Sequence, residues 1–346
     1  MNQEAESPLV SVIVVNHNGA AVLPRCLDAL AAQTFRGFEL ILVDNASIDT
    51  SLAAVEANPP AVPSLRILRL ERNLGFAAAN NLAARQANGR WLALLNNDAF
   101  PASTWLEELL AAARRRPDCA SFASRLLKAH QPELLDGAGD ILHTSGLGWR
   151  RGANQPAASF GLEEDVFSAC AAAALYDKEL FLQLGGFDED FVSYHDDLEL
   201  GFRLRLLGKG CLYAPRAVVE HVGSASYGAD SQLNVTYMHR NFVWTYWMNM
   251  PGWLFWKYLP AHLLANLVFL VSYSLRGRLR AIWRAKFQAL LGLPRALRKR
   301  RVRQAQRSAR PEDIDRLLEH DWLAPYTLGR RRQSIASLFR RREKRA

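Results

Sequence analysis

The stretch Trp91-Leu-Ala-Leu-Leu-Asn-Asn-Asp-Ala-Phe-Pro101 decides how the rest of the chain is read. It opens as an unbroken apolar run, Trp91 to Leu95, and closes in three oxygen-bearing side chains, Asn96, Asn97 and Asp98, before a proline. A short apolar run bounded by a breaker predicts a strand buried on both faces of a parallel sheet. In open α/β sheets, ligands bind beyond the carboxyl ends of such strands. This strand therefore delivers a carboxylate and two amides to the rim of the sheet. Hard oxygen donors there suit Mg²⁺ or Mn²⁺ and the phosphates such an ion carries. A strand running into a plain polar turn has the same composition, because Asn and Asp are turn formers. The flanking sequence has to choose between the two.

Upstream, Leu9-Val-Ser-Val-Ile-Val-Val15 reads as a β-branched strand that runs into Asn16-His-Asn-Gly19. Residues 20–33 follow as a helix, with Leu23, Leu27 and Leu30 at helical spacing and Pro24 in the first turn. Phe38-Glu-Leu-Ile-Leu-Val43 is a second strand, ending in Asp44-Asn-Ala-Ser47. Residues 66–70 make a third, ending in Asn73-Leu-Gly-Phe76, and a helix over 77–88 leads to the opening stretch. This alternation is the βαβ pattern of a parallel sheet. Three strands thus end in polar turns, Asn16-His17-Asn18, Asp44-Asn45 and Asn96-Asn97-Asp98, which a doubly wound sheet brings side by side into one crevice. Neither a Gly-x-Gly-x-x-Gly nor a Gly-x-x-x-x-Gly-Lys-Ser/Thr follows the first strand. That argues against a dinucleotide enzyme and a P-loop NTPase, and it leaves phosphate to be met by a metal ion.

Downstream, a helix is expected over 103–116. Residues 117–165, rich in Gly and short apolar pieces, yield no assignment. The small apolar run 167–176 reads as a strand against which something packs closely. Then come Gly185-Gly-Phe-Asp188 and Phe191-Val-Ser-Tyr-His-Asp-Asp-Leu-Glu-Leu-Gly-Phe-Arg203. Asp196 and Asp197 begin a helix that runs to about Leu207. The helix dipole there favours ionised carboxylates, the form a general base needs; an N-cap with a solvated acidic turn is the bland alternative. Glu199 and Arg203, four apart, can pair on one face. Residues 211–215 and 217–221 read as two short strands, and His221 at the end of the second is a candidate metal ligand.

The 346 residues are 49% hydrophobic and 22% charged, enough for a large core and one to three domains. The charge is unevenly spread. Residues 251–346 hold 23 Lys and Arg against 6 Asp and Glu, a net +17, and residues 1–250 hold 20 against 28, a net −8. An acidic body with a basic appendage predicts contact with an anionic surface. Cys26, Cys119, Cys170 and Cys211 are far apart and form no CxxC, so each is expected as a small buried residue in a reducing compartment. No signal-peptide pattern opens the chain, so the body is expected in the cytoplasm. Residues 237–258 are dense in Trp, Tyr and Phe, as at membrane interfaces. Residues 252–275 are apolar but carry Lys257, Pro260, His262 and Asn266, and Arg276, Arg278, Arg280, Arg284 and Lys286 follow. An interfacial or re-entrant helix with a polybasic flank is expected; a true span and a plain core hairpin are the alternatives. Residues 295–310 and 330–345 read as basic helical pieces. No nucleic-acid motif accompanies the charge, so no nucleic-acid partner is expected.

Six segments taken together, Val12-Ile-Val-Val-Asn-His-Asn-Gly, Leu42-Val-Asp-Asn-Ala-Ser-Ile-Asp-Thr-Ser, Arg72-Asn-Leu-Gly-Phe, Leu95-Asn-Asn-Asp, Gly185-Gly-Phe-Asp-Glu and Asp196-Asp-Leu-Glu-Leu-Gly-Phe-Arg, resemble glycosyltransferase family 2. These are inverting enzymes of the GT-A fold, a Rossmann-like, mostly parallel sheet flanked by helices. The nearest subgroup is the bacterial rhamnosyltransferases of surface-polysaccharide assembly. The resemblance covers about residues 9–250. It implies that Asp44 contacts the nucleobase near Asn16 and Asn18, with Asn45, Asn73 and Asn97 completing the nucleotide-sugar site. It implies that Asp98 holds a Mg²⁺ or Mn²⁺ ion on the diphosphate, with His221 at a position that is often His. Asp197 stands where the family's base lies, beside Asp196 in place of the usual Glu, and Asn96 replaces the first Asp of Asp-x-Asp. The implied activity is transfer of a sugar, rhamnose among the candidates, from a nucleoside-diphosphate donor to a lipid-linked or glycan hydroxyl. The implied place is the cytoplasmic face of a bacterial inner membrane. A catalytic domain over 1–235 and a helical membrane-associating region over 236–346 complete the expectation. The two departures keep open an inactive relative that serves as an assembly subunit.

Overall fold

The computed structural model describes residues 8–223 and 232–324; the basic piece expected over 330–345 lies outside them. The first half alternates as the apolar spacing demands. β1 (Val10–Asn16), α1 (Leu23–Ala31), β2 (Phe38–Asp44), α2 (Ser51–Ala57), β3 (Leu65–Arg69), α3 (Gly75–Gln86) and β4 (Trp91–Asn96) follow one another. β1 pairs in parallel with β2 and with β4, and β2 with β3. The registers set Asn16 opposite Asp44 and Val15 opposite Asn96. The three polar strand ends are therefore neighbours, as expected.

After the short β5 (Ala99–Pro101) and α4 (Trp105–Arg115), the unassigned stretch resolves into β6 (Cys119–Lys128), β7 (Gln131–Gly137), β8 (Asp140–Leu142), β9 (Gly148–Arg150) and β10 (Glu164–Asp165). β11 (Ala173–Asp177) inserts antiparallel between β4 and β6, and α5 (Lys178–Gln183), α6 (Asp196–Leu206) and β12 (Gly210–His221) follow. The main sheet runs β10-β12-β6-β11-β4-β1-β2-β3, with β5 on β12 and β7 on β6. α1 and α4 cover one face through Leu23, Leu27, Leu106 and Leu109, and α3, α5 and α6 cover the other through Ala79, Ala83, Phe181 and Leu200.

Two expectations are corrected here. Residues 211–221 form one strand, whose register against β6 slips between Ala214 and Val218, at Pro215 and Arg216. A proline lacks the ladder donor, so it ends up at a bulge and breaks the pattern without breaking the strand. The apolar run 167–176 is strand only from Ala173 onward. Its earlier part is small because α6 lies on it: a Cβ on Gly201 would sit 2.2 Å from the Ser168 Cβ.

Three long helices close the molecule: α7 (Gln232–Asn249), α8 (Leu254–Leu275) and α9 (Leu279–Gln306), then the short α10 (Pro311–Asp315). They are not a separate appendage. Tyr246, Met250, Leu254, Phe255, Ile314 and Leu318 share one core with Leu142, Phe167, Leu198 and Phe202. All four cysteines are buried and unpaired, as expected.

Candidate functional site

Beyond the carboxyl ends of β1, β2 and β4 opens a cavity of about 1140 Å³. Asn18, Asn45, Asn73, Asn97, Asp98, Asp196, Asp197 and His221 all line it. Two acidic centres a hundred positions apart in sequence therefore face one space.

The amides at the strand ends are spent largely on each other. Asn97 Nδ2 donates to Asn16 Oδ1 at 2.8 Å, and Asn16 Nδ2 donates to the Ser47 and Ser51 hydroxyls at 3.2 and 2.9 Å. Gly19 is required beside them, since a Cβ there would meet Asn16 Oδ1 at 2.1 Å. Asn45 Nδ2 donates to Asn73 Oδ1 at 2.9 Å, and Asn45 Oδ1 accepts from the Leu74 amide at 2.8 Å. Asn18, at φ 53°, accepts from the Ile48 amide. Asn16 and Asp44 are buried and do not line the cavity. Asp44 nevertheless keeps Oδ1 without a hydrogen-bond partner among the described residues. The sequence suggested contact residues; the structure shows that several of them brace the loops that shape the contact.

Asp98 and His221 are brought together by β5 pairing with β12. His221 Nδ1 lies 2.7 Å from Asp136 Oδ2, and its Nε2 lies 3.3 Å from Asp98 Oδ1 without a hydrogen bond. Burial pulls the imidazole's pKa down, but the Asp136 and Asp98 carboxylates outweigh it and hold it above the ordinary value. Asp136 also pairs with Arg150. Burial would raise its pKa, and Arg150 and His221 together hold it at about 2. A buried ring nitrogen with no partner beside a carboxylate, its other nitrogen fixed by a second carboxylate, fits the way His binds a metal. Among the described residues no three His, Cys, Asp or Glu side chains form a metal cage. Asp98 supplies one carboxylate, of the kind an ion such as Mg²⁺ takes together with substrate phosphates, and a His221 nitrogen suits a transition ion such as Mn²⁺ better.

Asp197 sits in the first turn of α6 and accepts from the amides of Ala171 at 3.1 Å and Leu198 at 2.8 Å. Asp196 behaves differently from its expectation. Burial, then the Asp197 charge, push its carboxyl up to about 8, so the helix dipole does not keep it ionised. Asp140 also lines the cavity and is raised well above the usual range, by burial and then by Asp197. Ser168 donates to it at 2.9 Å. Glu199 and Arg203 pair as expected, at 2.8 Å and buried.

Sequence reasoning missed a whole wall. Lys128, His130, Asp136, Asp140, Trp149 and Arg150 line the cavity, and all come from the stretch that yielded no assignment. It also missed the loop before α6. Val192, Tyr194 and His195 all have φ near +65°, a region that β-branched and bulky residues avoid. Arg240 Nη2 donates to the carbonyls of Asp190 and Phe191, and Asn241 Nδ2 to those of Phe191, Ser193 and Tyr194, all at 2.8–2.9 Å.

Comparison with known proteins agrees with this arrangement. Residues 11–185 match the model of the family "Glycosyl transferase family 2". The chain is 31% identical over 256 residues to the O-antigen biosynthesis protein RfbC of Myxococcus xanthus, covering 71% of this chain and 20% of that protein. It is 27% identical over 259 residues to the N-acetylglucosaminyl-diphospho-decaprenol L-rhamnosyltransferase of Mycobacterium tuberculosis, covering 67% of this chain and 82% of that one. The chain thus spans a fifth of the first of these relatives. Among solved structures, GalNAc-T7 with UDP, GalNAc and Mn²⁺ superposes with a TM-score of 0.57 at 19% identity, over 70% of this chain and 48% of that one. Residues 1–349 of S. aureus TarS with UDP-GlcNAc give 0.53 at 17%, over 89% of each chain. At that identity the likeness is one of fold, GT-A.

Proposed function

Because the chain belongs to glycosyltransferase family 2, we propose that it transfers a sugar, with inversion, from a nucleoside-diphosphate donor to an acceptor hydroxyl at a membrane surface. The observation that carries this reading is the shared cavity: Asp197 and the Asp98 and His221 pair all line it, so a base for the acceptor and ligands for the diphosphate's ion reach one space. Asp44 Oδ1, without a partner among the described residues, would accept an N–H of the nucleobase only once the strand-end turns that bury it part. Asp98 and His221 Nε2 would hold a Mg²⁺ or Mn²⁺ ion. Such an ion supplies Lewis-acid stabilisation to the diphosphate as it leaves. Asp197 takes the proton of the acceptor hydroxyl, which attacks the anomeric carbon from the face opposite the nucleotide. The sugar–phosphate bond breaks, its electron pair leaves on the diphosphate, and the configuration inverts. Asp196, protonated near neutral pH, keeps a second charge away from this base. Trp149 offers an aromatic face for an apolar sugar face. The rhamnosyltransferase relative makes a deoxysugar donor and a lipid-diphosphate acceptor the first choices.

Asp197→Asn should lower turnover by at least about a hundredfold, the scale of a lost general base, while nucleotide affinity holds. Turnover within threefold of wild type would remove Asp197 from that role. Separately, thermal stabilisation by UDP, dTDP and GDP should require Mn²⁺ or Mg²⁺ for the matching nucleotide and should vanish in Asp98→Ala. A shift that survives the substitution would place the ion elsewhere. Absence of any shift and of any transfer would favour the reading as an inactive assembly subunit, which Asn96 in the cavity wall keeps open.

A further inference from the structure

Behind the loop that precedes α6 lies a second cavity, of about 520 Å³, between α7 and α9. The loop is the partition: Asp190 and Val192 face the second cavity, whereas Ser193, Tyr194 and His195 face the first. The charged lining of the second cavity is cationic. Arg240, Arg284, Arg295 and Lys299 border it against the single carboxylate of Asp190. That carboxylate is already shared by Arg295 at 2.7 Å and Lys299 at 2.6 Å. Arg240 spends its donors on loop carbonyls and on Asn241, and stacks at 4.4 Å over Trp244. Arg284 is exposed and has no ion-pair partner among the described residues. The cavity therefore carries positive charge that the described residues do not neutralise.

Its rim is apolar in one direction. Leu291 belongs to the lining and is 65% exposed. At about 100° per residue, Phe287, Trp283 and Leu290 continue from it round the same side of α9, each more than half exposed. Leu263, Leu267 and Val271 of α8, which packs on α9, are exposed as well. A contiguous exposed apolar surface beside a polar cleft marks an interaction site. A free phosphate would use the cations and leave this strip bare. A nucleic acid would want a row of aromatic platforms along an extended groove, and here Trp283 and Phe287 share an exposed helix face with Leu290 and Leu291.

We propose that this cavity seats the phosphate head of an anionic membrane amphiphile, with the apolar tail lying along the exposed strip of α9. Head and tail together account for both features. The site lies across the loop from the sugar-transfer cavity and is distinct from it, and it is tested by binding alone, so that its outcome is separate from that of the transfer reading.

The full chain would be titrated with dodecyl phosphate below its micelle concentration. Inorganic phosphate, dodecyl maltoside and a single-stranded 20-nucleotide DNA would be run in parallel, with amide exchange followed on each. Dodecyl phosphate should bind at least tenfold more tightly than phosphate or maltoside, and should slow exchange over 188–195 and 284–299. Arg284→Glu, at a position with no partner to lose, should weaken it about tenfold. Leu291→Lys should weaken it too, by removing the tail contact. Arg316→Glu, exposed and outside the lining, should leave it unchanged. Equal binding of phosphate or maltoside, protection by the oligonucleotide in place of the amphiphile, or full affinity in both Arg284→Glu and Leu291→Lys would overturn the proposal.

Discussion

Asp196 and Asp197 are adjacent in sequence yet live in different media, and the difference is a matter of one side chain's exposure. Asp196 is 6% exposed, with no ion pair among the described residues, whereas Asp197 accepts two backbone amides. The folded state therefore binds the Asp196 proton more tightly than the unfolded chain does, in which the carboxyl ionises near 3.8. Stability from this group is complete below that value and is lost as pH rises toward about 8. The wild type should lose stability between about pH 4 and about pH 8, at a slope of at most roughly 1.4 kcal/mol per pH unit for one proton. Asp196→Asn should flatten that decline, since an amide has nothing to ionise. Parallel melting curves measured across the range in both proteins would show that another group sets the alkaline limit. The protonation could not be read from the sequence. Asp-Asp at a helix start looks like a dipole-stabilised pair, and only the fold reveals that α6 packs its first residue inward. Asp98 and His221 were legible for the opposite reason, because each ends a strand and strand ends share one rim.

At the scale of elements, the loop 188–195 and α7 form one device. Three non-glycine residues with positive φ within four positions cost roughly 1–3 kcal/mol each. They persist because α7 holds the carbonyls on either side. Asn241 is fully buried, and its amide serves three of them. Charge from α9 reinforces the same segment. Arg303 pairs with Glu199 at 2.7 Å and with Asp188 at 2.8 Å, and Lys299 pairs with Asp188. Burial would raise the Asp188 pKa, but Lys299 and Arg303 hold it below the usual range. Asn241→Leu keeps the volume and removes the donors, leaving buried carbonyls unpaired at about 1–3 kcal/mol. Turnover should fall at least tenfold with nucleotide affinity unchanged, because the nucleotide side of the cavity has other supports. Loss of nucleotide affinity in step with turnover would mean that the change reaches the whole sheet. The βα half of the fold was readable because each element repeats a local period. The strands of 119–150 were not: β8 and β9 are only three residues long each, and β6 owes its pairing to β11 and β12, far away in sequence. Trp149 and Arg150 were missed with them. α8 is apolar on every side, so its sequence does not say which face is buried.

For the whole molecule, the division between a catalytic body and a basic tail is visible in charge but not in packing. Residues from both sides build one core around Phe202, Tyr246, Leu254 and Ile314. The backbone is stitched as well: Ser308 and Ala309 donate to Leu206, and Glu319 donates to Leu142 while Thr144 donates to Glu319. Buried apolar contact is insensitive to salt, whereas exposed ion pairs are screened beyond about 10 Å at 0.1 M. The ion pairs of Arg303 and Lys299 with Asp188 and Glu199 therefore add to a contact that apolar packing and backbone hydrogen bonds already make. A protease site introduced within residues 224–231 tests this. After cleavage the two fragments should co-elute in size exclusion at 0.1 M and at 1 M salt, and nucleotide-induced stabilisation should survive. Association lost only at high salt would show that the ion pairs of Arg303 and Lys299 carry the contact. Fragments that separate at both salt concentrations, with the first still stabilised by nucleotide, would make the sheet an independent unit and the helices a detachable arm. The mixed core argues for the first result, since opening it exposes Phe202 and Tyr246, both fully buried, and side chains of that size each stabilise a fold by roughly 1.5–3 kcal/mol.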